Sequence, residues 1–129
     1  LERLRAIADA RGIEYDPAMA RLAKCLVDAE GVGSKVTIVE GDIFKEDFAR
    51  ATVVTMYLLP ELNRCIRHRL LAMRPGTRVV SHDFRMGDWD PDDTFQHEFR
   101  MAHLWIVPAR VEGTWVVRDD AGTSVTVRS

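Results

Sequence analysis

Several polar side chains in this chain directly follow short apolar runs, where a folded protein could use them to hold a ligand. Glu14 and Asp42 each end such a run, Tyr57 lies within a third, and His82–Asp83 closes a fourth. A carboxylate can accept two hydrogen bonds at once, which suits Glu14 and Asp42 to a ligand rich in hydroxyl or amino donors. Whether these side chains act together depends on the elements that carry them.

The spacing of apolar residues predicts those elements. Helices are expected over residues 1–10, 17–30 and 61–73, with strands within 11–16 and over 35–39, 51–59 and 77–83. A polar stretch, 85–95, precedes strand-like runs at 104–107, 109–118 and 123–128. The turn at 119–122 makes the last two runs an antiparallel hairpin.

The alternation of strands and helices predicts an α/β fold with an open, mostly parallel sheet and a C-terminal antiparallel hairpin. In such sheets ligands bind beyond the carboxyl ends of the strands. Glu14 and Asp42 are expected at two such ends. The pattern therefore favours a ligand site that both acids face.

Composition narrows the class of protein. A chain of 129 residues with 47% hydrophobic and 29% charged residues suits one globular domain, residues 1–129. The net charge of −2 gives no electrostatic reason to expect a nucleic-acid partner, and the basic residues of the 61–73 helix are interpreted as a solvated face. Those basic residues are Arg64, Arg67, His68 and Arg69.

Metal binding and membrane insertion have no support in the sequence. Cys25 and Cys65 have no partner at metal-ligand spacing, so no metal site is expected and both are predicted to be buried free thiols. The chain has neither an apolar run of about 18 residues nor a signal-peptide pattern, which predicts a soluble cytoplasmic protein without a membrane span.

Four segments resemble bacterial class I methyltransferases related to the mitochondrial ATP synthase c-subunit lysine methyltransferases. They are GIEYDP at 12–17, VTIVEGDIF at 36–44, ATVVTMYLLPELN at 51–63 and RPGTRVVSHDFRMGDW at 74–89. The resemblance implies a Rossmann-like sheet, S-adenosyl-L-methionine as cofactor, and an amine as methyl acceptor. A protein lysine is the favoured acceptor, and small-molecule amines come next.

The resemblance also assigns cofactor contacts. Glu14 matches the acid that accepts hydrogen bonds from both ribose hydroxyls, with Tyr15 beside it. Asp42 matches the acid facing the adenine amino group, and Ile43 packs on the adenine ring. Tyr57 is expected on the cofactor side as well. From the residues alone, Glu14 could instead cap the following helix, and Asp42 could belong to a simple turn.

On the substrate side the chain departs from the family pattern. Where amine methyltransferases often carry Asn- or Asp-Pro-Pro-aromatic, this chain has Tyr57 followed by Leu58, Leu59 and Pro60. Without the polar side chain, amine recognition would rest on backbone carbonyls and the Tyr57 hydroxyl, or the segment could be a packed strand end.

Four further residues could line the substrate pocket or be structural: His82, Asp83, Phe84 and Trp89. No catalytic residue is assigned, because direct displacement at a methyl group chiefly requires positioning of a neutral nucleophile.

The family's first strand and its glycine-rich cofactor loop have no counterpart in this sequence. That strand lies between the second and fourth in the family's sheet, and its removal would leave backbone groups of both neighbours unpaired. We therefore expect about 30 residues, the size of a strand-loop-helix unit, to be missing near residues 9–11. Two alternatives stay open: a nicotinamide-dependent dehydrogenase, which also binds ribose with an acid, and a noncatalytic interaction domain.

Overall fold

The computed structural model describes residues 9–128 of the chain. Two compact units divide it, one over residues 1–48 and the other over 49–129. Most of the helix predicted over residues 1–10 lies outside the described residues. Each unit is described by itself below.

The first unit is a parallel strand pair joined by a helix. Strand β1 (Ala10–Glu14) leads into helix α1 (Pro17–Ala29), which returns the chain to strand β2 (Val36–Glu40). The two strands pair in parallel with Glu14 opposite Glu40. The strand-helix-strand order predicted from the sequence is confirmed, and α1 is one residue shorter at its end.

Helix α1 begins where the sequence predicts. The Asp16 carboxylate accepts hydrogen bonds from the backbone N–H groups of Ala18 at 2.8 Å and Met19 at 3.4 Å. Pro17 occupies the first helical turn, where it leaves no donor unsatisfied. Gly31, with φ of 65°, lets the chain turn away after the helix. Asp16 therefore fixes the start of the helix that follows β1.

The second unit contains the remaining elements. Strand β3 (Val53–Met56) is followed by helix α2 (Pro60–Leu71) and strand β4 (Arg78–His82). Four further strands complete the chain: β5 (Asp93–His97), β6 (Arg100–Ile106), β7 (Thr114–Arg118) and β8 (Ser124–Arg128). The four-stranded sheet has the order β3-β4-β6-β5, and β7 pairs with β8 alone.

The predicted α/β class is confirmed, but the strand pairing is mixed rather than mostly parallel. Strands β3 and β4 are parallel, whereas β6 runs antiparallel to both β4 and β5. It follows that β5 runs in the same direction as β3 and β4. Strand β6 lies between β4 and β5 and runs in the opposite direction. Among the described residues the strands form three separate sheets rather than one.

Several strands differ from their predicted extents. The runs predicted at 104–107 and 109–118 are β6 (Arg100–Ile106) and β7 (Thr114–Arg118). The strand predicted over 51–59 is confined to Val53–Met56, because proline at position 60 begins α2 and the residues between connect the two elements. Strand β5 was missed, since it lies at the sheet edge with all its residues exposed and lacks an apolar face. Polar side chains are common on such edges, so hydrophobic periodicity gives no signal there.

The core of the second unit lies between α2 and one face of the sheet. Ile66 and Leu70 of α2 and Val79 and Trp105 of β4 and β6 are almost completely buried. Val79 and Trp105 are direct cross-strand partners. This face fixes the position of β4, whose end carries His82.

The cysteines are exposed, so the prediction of buried thiols was wrong. Cys65 directly precedes buried Ile66, and consecutive residues of a helix point about 100° apart. Cys25 lies on α1, whose buried residue is Ala20. Both thiols fall outside the buried stripes of their helices.

The C-terminal hairpin was predicted correctly. Strands β7 and β8 pair antiparallel, and the Asp119 carboxylate accepts hydrogen bonds from the N–H groups of Ala121 and Thr123 within the turn. Gly122 has a φ of 85°, a conformation that favours glycine. Every residue of the two strands is exposed.

The expected interruption near residues 9–11 stays a prediction. Strand β1 runs without a break from Ala10 to Glu14, and every pairing it makes among the described residues is with β2. Strand β3 likewise pairs with β4 among those residues. Residues 1–8 lie outside the described part of the chain.

Asp83 ties the end of β4 to the start of β6. Its backbone N–H donates to the Met101 carbonyl at 2.8 Å, and its carboxylate accepts from the Met101 N–H at 2.9 Å. Its φ of 63° lies in the left-handed region, which Asp and Asn adopt more readily than most residues. The Met101 N–H and then the Arg100 guanidinium hold the pKa of Asp83 below its usual 3.8.

Replacing Asp16 with Ala should lower the free energy of unfolding by about 1 kcal/mol, because two N–H groups at the start of α1 lose their acceptor. Urea denaturation followed by circular dichroism measures the change. Asp16→Asn is the matched control, since Asn caps helices about as well as Asp. Equal losses in both variants would show that the cap does not stabilise the helix.

The stabilisation contributed by the Asp83 charge should depend on pH. Because its pKa is lowered in the folded protein, this stabilisation is present above 3.8 and is lost as pH falls through the lower, folded value. Asp83→Asn removes the charge and suits the same backbone conformation. Urea titrations between pH 3 and 7 should therefore show a constant deficit for the variant near neutrality that shrinks below pH 3.8. A deficit that does not change with pH would contradict the assignment.

Candidate functional site

Glu14 and Asp42 lie at neighbouring strand ends in the first unit. Glu14 ends β1, and Asp42 comes two residues after Glu40, the end of the parallel partner β2. The Gly41 N–H donates to the Glu14 carbonyl at 2.9 Å, which continues the ladder to the residue before Asp42. Parallel pairing in this register therefore brings the two acids to neighbouring strand ends, as the sequence predicted.

Both acids are half-buried, and each makes one local hydrogen bond. One Glu14 carboxylate oxygen, Oε1, accepts from the Asp16 N–H at 3.1 Å. In Asp42, Oδ1 accepts from the Phe44 N–H at 2.9 Å, a hydrogen bond within a turn. Within the described part of the chain, the second oxygen of each carboxylate has no protein partner, which leaves it able to accept from a ligand.

Helix capping was the alternative role for Glu14, and a simple turn was the alternative role for Asp42. Asp16 is the N-cap of helix α1, and the Glu14 carboxylate accepts a hydrogen bond from the N–H of that cap residue. Asp42 does belong to a turn, since its carboxylate accepts a hydrogen bond from the Phe44 N–H just after β2. Tyr15 is 78% exposed, whereas Ile43 is half-buried beside Asp42.

The second unit gathers aromatic rings at the carboxyl ends of β3 and β4. Tyr57 follows β3 directly, and its ring meets the His82 ring edge-on with centroids 4.4 Å apart. The Phe84 ring lies nearly parallel to the Tyr57 ring, with centroids 6.4 Å apart. Tyr57 is nevertheless 64% exposed, so these contacts orient a ring that stays open to solvent.

Asp83 and Arg100 form an ion pair beside these rings. Arg100 Nη1 donates to Asp83 Oδ2 at 2.8 Å, while His82 Nε2 lies 3.8 Å from Asp83 Oδ1. Asp83 first, and then Tyr57, raise the pKa of Arg100, so the guanidinium stays charged.

Sequence reasoning missed Arg100. It lies 17 residues after Asp83, at the first position of β6, and nothing in the local pattern marks it. The pairing of β6 beside β4, with His82 opposite Ala102, brings it to the strand ends. The antiparallel insertion of β6 would have to be known to find it.

Asn63 is a second residue that the sequence did not reveal. This residue of α2 is fully buried, and its Nδ2 donates to Ser81 Oγ and to the carbonyls of Phe84 and Arg85, each at 3.2 Å. Its Oδ1 has no partner in the described residues. Asn63 thus anchors the segment after β4 to the helix, which holds Phe84 against Tyr57.

The other substrate-side candidates differ in their surroundings. Leu58 is half-buried, Leu59 is 60% exposed at the start of α2, and Pro60 is the first residue of that helix. Trp89 accepts a hydrogen bond at its carbonyl from Trp105 Nε1 at 2.8 Å, and the two rings lie 6.0 Å apart. Trp89 therefore packs against the core.

A surface depression of about 550 Å³ in the second unit contains none of the candidate residues. Arg64, Arg67 and His68 of α2 line it together with Gly87 and Asp88. Arg67 and Asp88 form an ion pair that lowers the pKa of Asp88. The predicted solvated basic face is therefore partly neutralised.

The described residues have neither a metal-binding cluster nor a helix that could span a membrane. Residues 9–128 contain no group of three or more His, Cys, Asp and Glu side chains that could hold a metal ion. Over the same range, no helix has the length and apolar character needed to cross a membrane.

Comparison with known proteins places these residues in a family. Residues 2–93 match the model of the ANTKMT methyltransferase domain. A protein-lysine N-methyltransferase of Saccharolobus islandicus (strain REY15A) is 37% identical over 93 residues, which are 71% of this chain and 58% of that protein. The chain therefore spans little more than half the length of that relative.

Solved structures agree with the family match. An RNA methyltransferase from Salinibacter ruber in complex with S-adenosyl-L-homocysteine has 42% sequence identity and a TM-score of 0.75. The match covers 78% of this chain and 67% of that one. A Haemophilus influenzae structure with 13% identity and a TM-score of 0.55, covering 77% of this chain and 72% of its own, supports the fold alone. With more than half its length matched by the family model, this chain belongs to the ANTKMT methyltransferase domain family.

Proposed function

We propose that the protein is an S-adenosyl-L-methionine-dependent methyltransferase that modifies an amine, with a protein lysine as the acceptor. The observation that carries this proposal is the position of Glu14 and Asp42 at adjacent parallel strand ends, each with a free carboxylate oxygen among the described residues. Membership in a methyltransferase family supports the same conclusion.

The carboxylate pair suits an adenosine. In our proposal, Glu14 accepts hydrogen bonds from the two ribose hydroxyls, and Asp42 accepts one from the adenine amino group. Ile43 would pack on the adenine ring, with Tyr15 and Tyr57 as further cofactor contacts. Half-burial of both acids favours this role, because partial removal from water strengthens hydrogen bonds to a charge. The S-adenosyl-L-homocysteine bound to the Salinibacter ruber protein is a ligand of the same chemistry.

In our proposal, residues of this chain bind and orient the methyl acceptor and exclude water from the site. When bound, S-adenosyl-L-methionine supplies a methyl group activated by a positively charged sulfur. The substrate-side residues we propose are Leu58, Leu59, Pro60, His82, Asp83 and Trp89. Of these, Leu58 to Pro60 offer backbone carbonyls. Trp89 is held in place by the hydrogen bond that its carbonyl accepts from Trp105 Nε1.

We extend the proposal to the fold of the whole domain. Residues 1–129 would belong to one methyltransferase-like domain with a Rossmann-like sheet, in which β1 and β2 correspond to the family's second and third strands. Strands β3 and β4 would correspond to its fourth and fifth.

RNA is the second candidate acceptor. The Salinibacter ruber protein is described as an RNA methyltransferase and the Saccharolobus islandicus protein as a protein-lysine N-methyltransferase, so the two relatives differ in acceptor class. We favour lysine because the charge of −2 gives no general attraction to phosphates, and the α2 basic face is partly neutralised by Asp88.

Replacing Glu14 with Gln should weaken binding of S-adenosyl-L-homocysteine about 10- to 100-fold, since a hydrogen bond to a charged group contributes about 1.5–3 kcal/mol. Isothermal titration calorimetry of the purified protein measures the dissociation constant. Glu40→Gln is the matched control, because Glu40 is the exposed cross-strand partner of Glu14 and should be replaceable without loss.

Two outcomes of the same titration would overturn the proposed function, and a third would change the proposed site. Failure of the unmodified protein to bind at millimolar ligand would favour a noncatalytic interaction domain. Binding of NAD in place of the homocysteine compound would favour a dehydrogenase. Equal weakening by the Glu14 and Glu40 variants would remove Glu14 from the site.

Methyl transfer from tritiated S-adenosyl-L-methionine should label poly-L-lysine and leave total bacterial RNA unlabelled. The expectation follows from the need for a neutral amine nucleophile and from the weak electrostatic attraction to RNA. Scintillation counting after protease or ribonuclease digestion separates the acceptors. Label that ribonuclease releases and protease does not would make RNA the acceptor class.

A further inference from the structure

The surface depression beside α2 has the charge of an anion site. Its volume of about 550 Å³ lies within the range of about 300–1,000 Å³ that is usual for ligand sites. Arg64, Arg67 and His68 line it from α2, and Gly87 and Asp88 line it from the segment after β4. With His68 neutral, two positive charges face one negative charge. The depression therefore favours a negatively charged ligand.

Arg67 is held in place at this depression. Its Nη1 donates to the carbonyl of buried Met86 at 3.3 Å and also to the Asp88 carboxylate. A guanidinium has five N–H donors, so Arg67 can bind another acceptor and still keep its bond to Met86. The Asp88 side chain is 88% exposed, so an incoming carboxylate can take its place on Arg67.

Arg64 supplies the charge that the protein does not neutralise. It is exposed, and no carboxylate within residues 9–128 forms an ion pair with it. Gly87 has a φ of 65°, and a Cβ built there would lie 3.4 Å from Cγ and Cδ of Arg64. The Arg64 side chain therefore lies directly against the turn that carries Gly87, with its charge available to a ligand.

Asn63 joins the depression to the candidate substrate site. It precedes Arg64 on α2, and its buried Nδ2 donates to the Phe84 carbonyl at 3.2 Å. Gly87 comes three residues after Phe84, so at most about 11 Å of extended chain separates them. A peptide whose lysine lies near the rings of Phe84 and Tyr57 would therefore reach the depression within a few residues.

We propose that the depression binds the acidic flank of the acceptor protein, a short run of glutamate or aspartate residues close to the methylated lysine. This inference rests on the proposed methyltransferase function and narrows its acceptor. One carboxylate of the run pairs with Arg64, and another replaces Asp88 as the partner of Arg67. The pairing selects lysines with acidic neighbours and does not touch the reacting atoms.

The residues that follow the depression favour a protein segment over RNA. Asp92 and Asp93 come directly after it, are exposed, and have no ion-pair partner among residues 9–128. A nucleic acid carries a phosphate at every nucleotide, so its chain would meet these carboxylates as it left the depression, and like charges repel. A protein segment can confine its negative charge to a few residues.

The first measurement compares two acceptor peptides, each with one lysine, followed in one by a run of glutamates and in the other by the same number of glutamines. With S-adenosyl-L-methionine, the glutamate peptide should have the lower KM. Arg64→Met should raise that KM about twofold to fivefold, the effect of one exposed charge pair, and the change should fall on KM and not on kcat. Arg118→Met is the matched control, since Arg118 is an exposed arginine on β7 outside the depression.

Asp88→Asn should act in the opposite direction. It removes the carboxylate that competes for Arg67, so the KM of the glutamate peptide should fall about twofold while that of the glutamine peptide stays the same. This variant also serves if Arg64→Met does not fold. A rise in KM with Asp88→Asn would contradict the assignment, because the loss of a competitor cannot weaken binding of an anion.

The second measurement detects binding without catalysis. In ¹H–¹⁵N NMR spectra, a glutamate peptide that lacks lysine should shift the Gly87 amide signal, and the glutamine peptide should not. The Gly113 amide, which lies just before β7, is the internal reference. High salt should reduce the shift, since screening weakens an exposed charge pair.

The outcomes separate this inference from the function on which it rests. A protein that methylates both peptides with the same KM, or whose Gly87 signal does not respond to the glutamate peptide, overturns the inference alone. A single-stranded oligoribonucleotide that shifts the Gly87 signal where the glutamate peptide does not would make RNA the ligand and overturn it as well. An unmodified protein that transfers no methyl group to any acceptor overturns the proposed function, and the inference falls with it.

Discussion

The backbone register between β1 and β2 is the constraint on which the candidate cofactor site depends. Glu14 lies opposite Glu40, and the Gly41 N–H donates to the Glu14 carbonyl. Side chains alternate across a strand, so a shift of one residue would send the carboxylate to the other face. Asp16, by fixing where α1 begins, limits how far β1 can extend and so helps to set this register. Main-chain hydrogen bonds bring Glu14 and Asp42 to neighbouring strand ends. Two negatively charged carboxylates repel each other, so their own interaction does not hold them there.

The second unit differs from the first, because its candidate site residues lie at the ends of the strands and on the connections that follow them. Tyr57 follows β3, and Asp83 and Phe84 follow β4, where regular pairing no longer fixes their positions. Two residues take over the role of strand pairing there: buried Asn63, and Asp83 with its left-handed backbone. Asn63 holds the Phe84 and Arg85 carbonyls from the helix side, and Asp83 holds Met101 from the strand side. The segment after β4 is therefore ordered from both directions, although it contains no regular element.

The sequence predicted what depends on periodicity and local caps, and it failed where distant pairing decides. The parallel pair with its helix, Glu14 and Asp42 at its ends, and the β7–β8 hairpin follow from apolar runs, Pro17 and the turn at Asp119. Strand β5 could not be found, because an exposed edge strand needs no apolar face. Arg100 could not be found either, since its place beside Asp83 follows from the antiparallel insertion of β6. The exposed cysteines show a further limit: apolar spacing predicts the helices, but Cys25 and Cys65 lie outside the buried faces of those helices.

The surroundings of Asp83 fit the proposal of a methyltransferase site that works without a general base. An aspartate next to a histidine invites an acid–base interpretation, but the Met101 N–H and Arg100 lower the pKa of Asp83, so it is a poor proton acceptor near neutrality. Its oxygens already accept from Met101 and Arg100. Such a carboxylate can orient a neighbour but has little capacity to take a proton. Methyl transfer to a neutral amine asks for orientation first, and the proton can leave to water after the nitrogen has become positive. The cluster around Asp83 thus matches a reaction in which geometry, and not proton transfer, is the contribution of the protein.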